Sequence, residues 1–347
     1  MDGVRVLIRA DFNVPVQNGI ITDDFRIRKT LPLLSHLLEK GAQLVLISHI
    51  ETKGDPTLRP AAEALKKMGI DCVFEKNYKK VLDSKNSVTL LENLREHAGE
   101  KTNDKKFAKE LASLADIYVN EAFSVSHRCH ASICAITEFI PSYAGFQFEE
   151  EIRHLSSAFD PERPFLFILG GAKFETKLPL VEKFIKLADT VFIGGALAND
   201  FFKAQGRDIG TSMVSAVRPD LTNFIHSEKL LLPLDSILKD TATMDAGMKT
   251  VDMLRLEIDK AKYVLWNGPL GAYETGYRAA TLQLAEMLAD ATKKGTKTIV
   301  GGGDTLATIN ELKLEDSFTF VSTGGGAMLD YLAKGTLPGI EALEKGI

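Results

Sequence analysis

Little in this chain invites cross-linking. Its 347 residues include three cysteines, Cys72, Cys129 and Cys134, which form neither a C-x-x-C pair nor an even-numbered framework. That argues against a disulfide scaffold and against a cysteine-built metal site, so buried or incidental thiols in a reducing cytoplasm are expected. No apolar run approaches the roughly 20 residues that a membrane-spanning helix needs. The sequence opens directly into a strand-like run at residues 4–8, with no charged leader or apolar signal core. A basic excess is missing too: 42 Lys and Arg stand against 47 Asp and Glu, with the signs interspersed, for a net charge of -5. Proteins that bind nucleic acid or membrane surfaces usually carry a basic stripe, so neither partner is expected. Local basic clusters remain possible, and a cytoplasmic protein is expected.

What is present is alternation. The length suggests two domains, each with its own core. Short apolar runs at 4–8, 43–47, 71–74, 88–91 and 117–119 are separated by helical patterns at 26–40, 58–68 and 104–114, which predicts βαβ units on a parallel sheet. The scheme repeats at 165–169, 190–193, 230–233, 263–266, 298–300 and 318–321. The fold class expected is α/β, with two doubly wound, Rossmann-like parallel-sheet domains joined by a helix and hinge. An amphipathic stretch at 146–159 and the turn-rich Asp160-Pro161-Glu162-Arg163-Pro164 mark the junction. We expect domains at 1–150 and 151–331, with 332–347 as a tail packing back on a preformed surface.

Ligands of open parallel sheets bind beyond the carboxyl ends of the strands. In the first half those ends carry Arg9-Ala10-Asp11-Phe12-Asn13, Ser48-His49, Glu92-Asn93-Leu94-Arg95 and Asn120-Glu121, leading to His127-Arg128-Cys129-His130, with Arg26 opening the first helix. Each arginine alone could serve a salt bridge with Asp11, Glu92 or Glu121. Their repetition at four ends points instead to a pocket for a small polyanion, since the guanidinium fork suits carboxylate and phosphate oxygens.

The second half differs. Its strand ends carry Gly170-Gly171-Ala172-Lys173, Gly194-Gly195-Ala196, Asn267-Gly268-Pro269, Gly301-Gly302-Gly303-Asp304-Thr305 and Ser322-Thr323-Gly324-Gly325-Gly326. One such corner is an ordinary tight turn. Five together suggest a nucleotide polyphosphate, because glycine lets backbone N–H groups and helix N-termini approach phosphate. Lys173 and Lys177 are four apart, which suits either a phosphate site at a helix start or a solvated face. The spacing is not that of a Walker P-loop. Asp304 suits either magnesium, which takes carboxylate, water and phosphate oxygens, or a plain N-cap. A polyanion pocket in one domain and a nucleotide pocket in the other, joined by a connector, point to phosphoryl transfer.

In this order the chain also reads RADFNVP, ITDDFRIR, LLENLREH, AFSVSHRCHAS, LGGAKFETK, WNGPLG, GGGDT and STGGGA, and so resembles phosphoglycerate kinase over nearly its whole length. The resemblance implies reversible transfer between 1,3-bisphosphoglycerate and MgADP, giving 3-phosphoglycerate and MgATP, by a hinge-closing monomer whose tail returns to the first domain. It implies that Asp11, Asn13, Arg26, His49, Arg95 and Arg128 hold the phosphoglycerate, with Arg9 beside them. It implies that Lys173, Lys177, Gly194, Gly195, Asn267, Glu274, Gly303, Asp304 and Thr305 serve the nucleotide, with Glu274 near the ribose and Asp304 near Mg2+. Arg26, Lys173, Lys177, Gly303 and Gly326 are the implied catalytic set. The chain departs from the family where Thr52 stands in place of a substrate-binding arginine, where only residues 235–244 remain of a longer segment beside the adenine, where Met248 replaces a proline, and where Ser124-Val125-Ser126 replaces Gly-Thr-Ala. A catalytically weak binding or regulatory relative is the alternative those departures raise.

Overall fold

The structure, a computed structural model, describes residues 1, 3–51, 56–82, 84–172, 177–216 and 219–346. Thr52 and Lys173 lie outside the described residues. The chain divides into two compact units, Met1–Arg153 with Thr336–Ile347, and His154–Gly335. The division falls inside the helix Phe146–Ser156.

The first unit is built on six parallel strands, in the edge-to-edge order Cys72–Glu75, Val88–Leu91, Gln43–Ile47, Arg5–Arg9, Ile117–Asn120 and Ser142–Ala144. Successive side chains of a strand face opposite sides, and the core follows that rule. Val6, Ile8, Leu44 and Leu46 feed one apolar cluster, while Leu7, Val45 and Ile47 feed the other. Both faces are thus covered, which explains why these strands read as unbroken apolar runs. The chain leaves Arg5–Arg9 toward Gln43–Ile47 on one side and returns on the other at Ile117–Asn120, so the switch in strand order lies beside the end of Arg5–Arg9.

The helix Pro338–Lys345 completes this unit. Gly339 N–H donates to Ser126 O at 2.9 Å, and a β-carbon on Gly339 would stand 2.6 Å from that of Ser126. Leu337 is fully buried. Only glycine admits this approach, because any side chain there would displace the segment around Ser126.

The second unit has the parallel order Leu230–Leu231, Thr190–Ile193, Phe165–Leu169, Tyr263–Asn267, Lys297–Gly301 and Phe320–Ser322. Numbered from its own first strand this is 3-2-1-4-5-6, the dinucleotide-fold order, with its switch between Phe165–Leu169 and Tyr263–Asn267. Phe184, on the helix Leu178–Leu187, lies with its ring centroid 4.4 Å from Phe167 and 5.9 Å from Phe165. Burying each such ring contributes about 1.5–3 kcal/mol. An antiparallel hairpin, Ser236–Lys239 with Ala242–Ala246, lies apart from the main sheet. No described helix is long and apolar enough to cross a membrane.

The expectation of unpaired thiols needs correction. Cys72 is free and buried, but Cys129 and Cys134 are joined in a disulfide with Cα atoms 5.3 Å apart. The backbone between them turns back on itself, Cys134 N donating to His130 O at 2.8 Å, so a spacing that is not C-x-x-C still brings the two together.

Candidate active site

In the first unit the basic side chains collect at the strand switch. Arg26, half-buried near the start of the helix Phe25–Glu39, sets Nη1 3.1 Å from Asp11 Oδ2 and 3.3 Å from Asn13 O. Asp11 also accepts from Ser124 Oγ at 2.6 Å. Asn13 Oδ1 takes the backbone N–H of Glu51 at 2.8 Å, which fixes the segment after His49. Asp11, Asn13 and Arg26 are thereby held as one group.

His49 lies 1% exposed, and its ring is driven far below the usual imidazole range, by burial first and then by the charges of Arg9, Arg95, Arg26 and Arg128. It is therefore a neutral ring among cations. Arg95 is pushed below the usual guanidinium range by burial, with Arg128 and Arg9 adding to the effect and Glu51 opposing it. Its Nη1 pairs with Glu51 Oε1, whereas Nε and Nη2 are buried without a hydrogen-bond partner. Buried donors without protein partners are uncommon, and a ligand oxygen or an ordered water satisfies them. A cavity of about 490 Å³ adjoins it, lined by Ile50, Glu51, Pro56, Asn93, Arg95 and Lys101 among others. Arg128 is exposed, and its Nε donates to His127 Nε2 at 3.2 Å.

Arg9 is placed differently from the other arginines. It is fully buried, with Nη2 3.1 Å from His49 Nδ1 and Nε 2.9 Å from Ser132 Oγ. Sequence reasoning assigned no supporting role to Ser124, Ser132 or Glu100, which hold these groups from behind. Small polar residues and one acid carry no periodic signal, and only the fold brings them to the rim.

The second unit gathers backbone where the first gathers charge. At its switch Gly170 and Gly268 meet so closely that a β-carbon on Gly170 would lie 2.2 Å from Pro269 O and 2.6 Å from Gly268 O. Lys177 is buried, and its Nζ donates to Gly170 O. Asn267 Nδ2 donates to Gly301 O at 2.9 Å, and Gly268 N–H to Thr305 Oγ1 at 3.0 Å, tying the corner to the helix Gly303–Leu312. Gly302 precedes that helix at φ 113°, a conformation that side chains resist. Gly303 and Asp304 are exposed in its first turn, where N–H groups point outward. Gly326 starts the helix Gly326–Lys334. Gly194 and Gly195 follow Thr190–Ile193 at the same strand ends, and Glu274 is exposed in the turn Tyr273–Thr275.

Among the described residues no group of three or more His, Cys, Asp or Glu could hold a metal ion. Asp304 alone suits a magnesium ion carried in on a nucleotide, since that ion is commonly held by one or two carboxylates, phosphate oxygens and water. The donor chemistry present therefore fits.

Comparison with known proteins agrees in sequence and in structure. A phosphoglycerate kinase from Dictyoglomus turgidum is 40% identical, over 99% of this chain and 96% of that protein. One from Chlorobium chlorochromatii is 42% identical, over 98% and 96%. Among solved structures, phosphoglycerate kinase from Coxiella burnetii superposes with a TM-score of 0.83 at 31% identity, covering 99% of this chain and 97% of that one. That from Pyrococcus horikoshii gives 0.85 at 27% identity, covering 99% and 96%. The pattern described as phosphoglycerate kinase matches residues 1–335, and on these grounds the chain belongs to the phosphoglycerate kinase family.

Proposed function

We propose that the basic rim of the first unit holds the phosphoglycerate and that the glycine corners of the second hold ADP or ATP. Family membership supplies the reaction, the glycolytic transfer of a phosphoryl group between 1,3-bisphosphoglycerate and ADP, giving 3-phosphoglycerate and ATP. The observation that carries the assignment of the rim is Arg95, whose buried Nε and Nη2 lack protein partners amid Arg9, Arg128 and His49. A phosphate or carboxylate oxygen satisfies such donors.

Phosphoryl transfer asks a protein for positioning and cationic charge rather than a covalent nucleophile. Asp11 and Asn13 O orient Arg26, whose charge serves the moving phosphoryl together with Lys173 and Lys177. Gly303 and Gly326 offer helix N-termini to phosphate. Asp304 would hold the magnesium, which when bound supplies charge neutralisation of the phosphate oxygens. Gly194, Gly195, Asn267, Glu274 and Thr305 complete the nucleotide side, and the enzyme works as a cytoplasmic monomer.

ATP formation by purified protein from ADP, magnesium and enzymatically generated 1,3-bisphosphoglycerate tests this reading. Turnover on the order of 1–10³ per second is expected. A folded sample that binds both ligands by calorimetry yet forms no ATP would overturn it.

Glu51 yields a second prediction at this site. Its exposed carboxylate occupies Arg95, so it competes with an incoming anion. Glu51→Gln should lower the KM for 3-phosphoglycerate about two- to fivefold, the size of an exposed ion pair, and leave the KM for ATP unchanged. Steady-state kinetics in the direction of ATP consumption measures both.

A further inference from the structure

His49 has two ring nitrogens, and its neighbours decide which carries the proton. An arginine N–H can donate but never accept. Arg9 Nη2 lies 3.1 Å from His49 Nδ1, so Nδ1 is the acceptor and the ring proton belongs on Nε2.

Arg9 is itself fixed by a chain of bonds that all run one way. Its Nη1 donates to Ala10 O at 2.7 Å and its Nε to Ser132 Oγ at 2.9 Å. Ser132 Oγ donates in turn to Glu100 Oε1 at 2.7 Å, and Ser132 N–H to Glu100 Oε2 at 3.0 Å. Tyr118 Oη donates to Ser132 O at 2.6 Å, closing the network from the sheet side. Arg9, Ser132, Tyr118 and Glu100 are all fully buried. A buried guanidinium requires a buried counter-charge, and Glu100 supplies it through one hydroxyl.

We propose that Glu100 is a positioning residue for phosphoglycerate recognition: through Ser132 and Arg9 it fixes His49 as the tautomer with its proton on Nε2, so that the ring offers ligand oxygens a donor. Arg9 acts through His49. The opposite tautomer would turn a lone pair toward an anion. The proposal rests on the assignment of the first-unit rim as the phosphoglycerate pocket.

Two-bond ¹H–¹⁵N correlation spectra of histidine-labelled protein, with His49 assigned by loss of its signals in His49→Gln, read the tautomer directly. Without ligand, His49 should show a single Nε2–H form from pH 5 to 8. Ser132→Ala should produce a tautomer mixture and raise the KM for 3-phosphoglycerate about three- to tenfold, as expected for one hydrogen bond, with the KM for ATP unmoved. Ser132→Thr, which keeps the hydroxyl, should restore both readings. An Nδ1–H form in the unmodified protein overturns the proposal even if every variant misfolds, as does a folded Ser132→Ala protein with tautomer and KM unchanged. If 3-phosphoglycerate leaves the His49 signals of an intact Nε2–H form unmoved, the pocket assignment falls and the proposed recognition role falls with it. The two failures are distinguishable because the tautomer is read with no ligand present.

Discussion

Arg26→Ala is expected to lower kcat by about 10²–10³-fold, the loss typical of removing one group that stabilises charge in the transition state. The guanidinium is held by Asp11 and Asn13 O, so its position is set before any ligand arrives. Arg26→Lys should recover only part of the activity, because an ammonium keeps the charge and loses the planar fork. Stability should move by about 1 kcal/mol or less, since the ion pair with Asp11 is partly exposed. Steady-state kinetics with both substrates saturating separates the cases. A kcat within threefold of the unmodified protein would confine Arg26 to ligand binding.

Glu121→Gln is expected to remove a loss of stability that the unmodified protein shows as the medium becomes more alkaline. Burial pushes the Glu121 carboxyl up to about 8, against the opposing effect of the Gln147 and Phe148 backbone N–H groups. The folded state therefore retains a proton that the unfolded state has already released above its ordinary value of 4.5. Stability falls while the folded state holds more protons than the unfolded one. The contribution is complete below pH 4.5 and declines up to about pH 8, by a few kcal/mol, on the order of 1.4 per pH unit.

His49 works in the opposite sense. Its folded value lies far below the ordinary 6.5, so protonation of the unfolded state erodes stability as pH falls below that value. The two effects oppose each other in mildly acid solution, and the Glu121 effect stands alone above pH 6.5. Thermal unfolding between pH 6.5 and 8.5 should show a falling Tm for the unmodified protein and a flat one for Glu121→Gln. Parallel curves would show that the Glu121 carboxyl does not titrate in that window. The amide keeps an acceptor for the Gln147 N–H, which now comes within 3.1 Å of both carboxyl oxygens.

The strands most legible in the sequence are those buried on both faces. Gln43–Ile47, Val88–Leu91, Phe165–Leu169 and Thr190–Ile193 begin and end where the apolar runs do. Elsewhere local chemistry shifted the bounds. The run at 230–233 keeps only Leu230–Leu231 as strand, and Pro233 brings no N–H to a ladder. Ser142–Ala144 went unread because it is short, lies at the edge and exposes Tyr143. The hairpin Ser236–Lys239 with Ala242–Ala246 is absent from the strands expected, since Ile237 and Leu238 face outward and give no pattern of burial. At the candidate site, repeated arginines and glycines at strand ends marked the two rims. The burial of Arg9, the capture of Arg95 by Glu51 and the Cys129–Cys134 bond depend on residues distant in sequence or on local turns, and no spacing rule announces them.

The small gap at Gly339 also bears on how the chain is made. The first unit includes residues from 336 onward, yet about 180 residues of the second unit are translated in between. At roughly 5–20 residues per second the ribosome needs about ten to forty seconds to bridge that interval. Throughout it the nascent first unit exposes the surface around Ser126 and Ile133 that Gly339 will cover. Vectorial synthesis thus makes the earliest part of the protein the last to be completed, and leaves it open to chaperones and proteases for longer than its place in the sequence suggests.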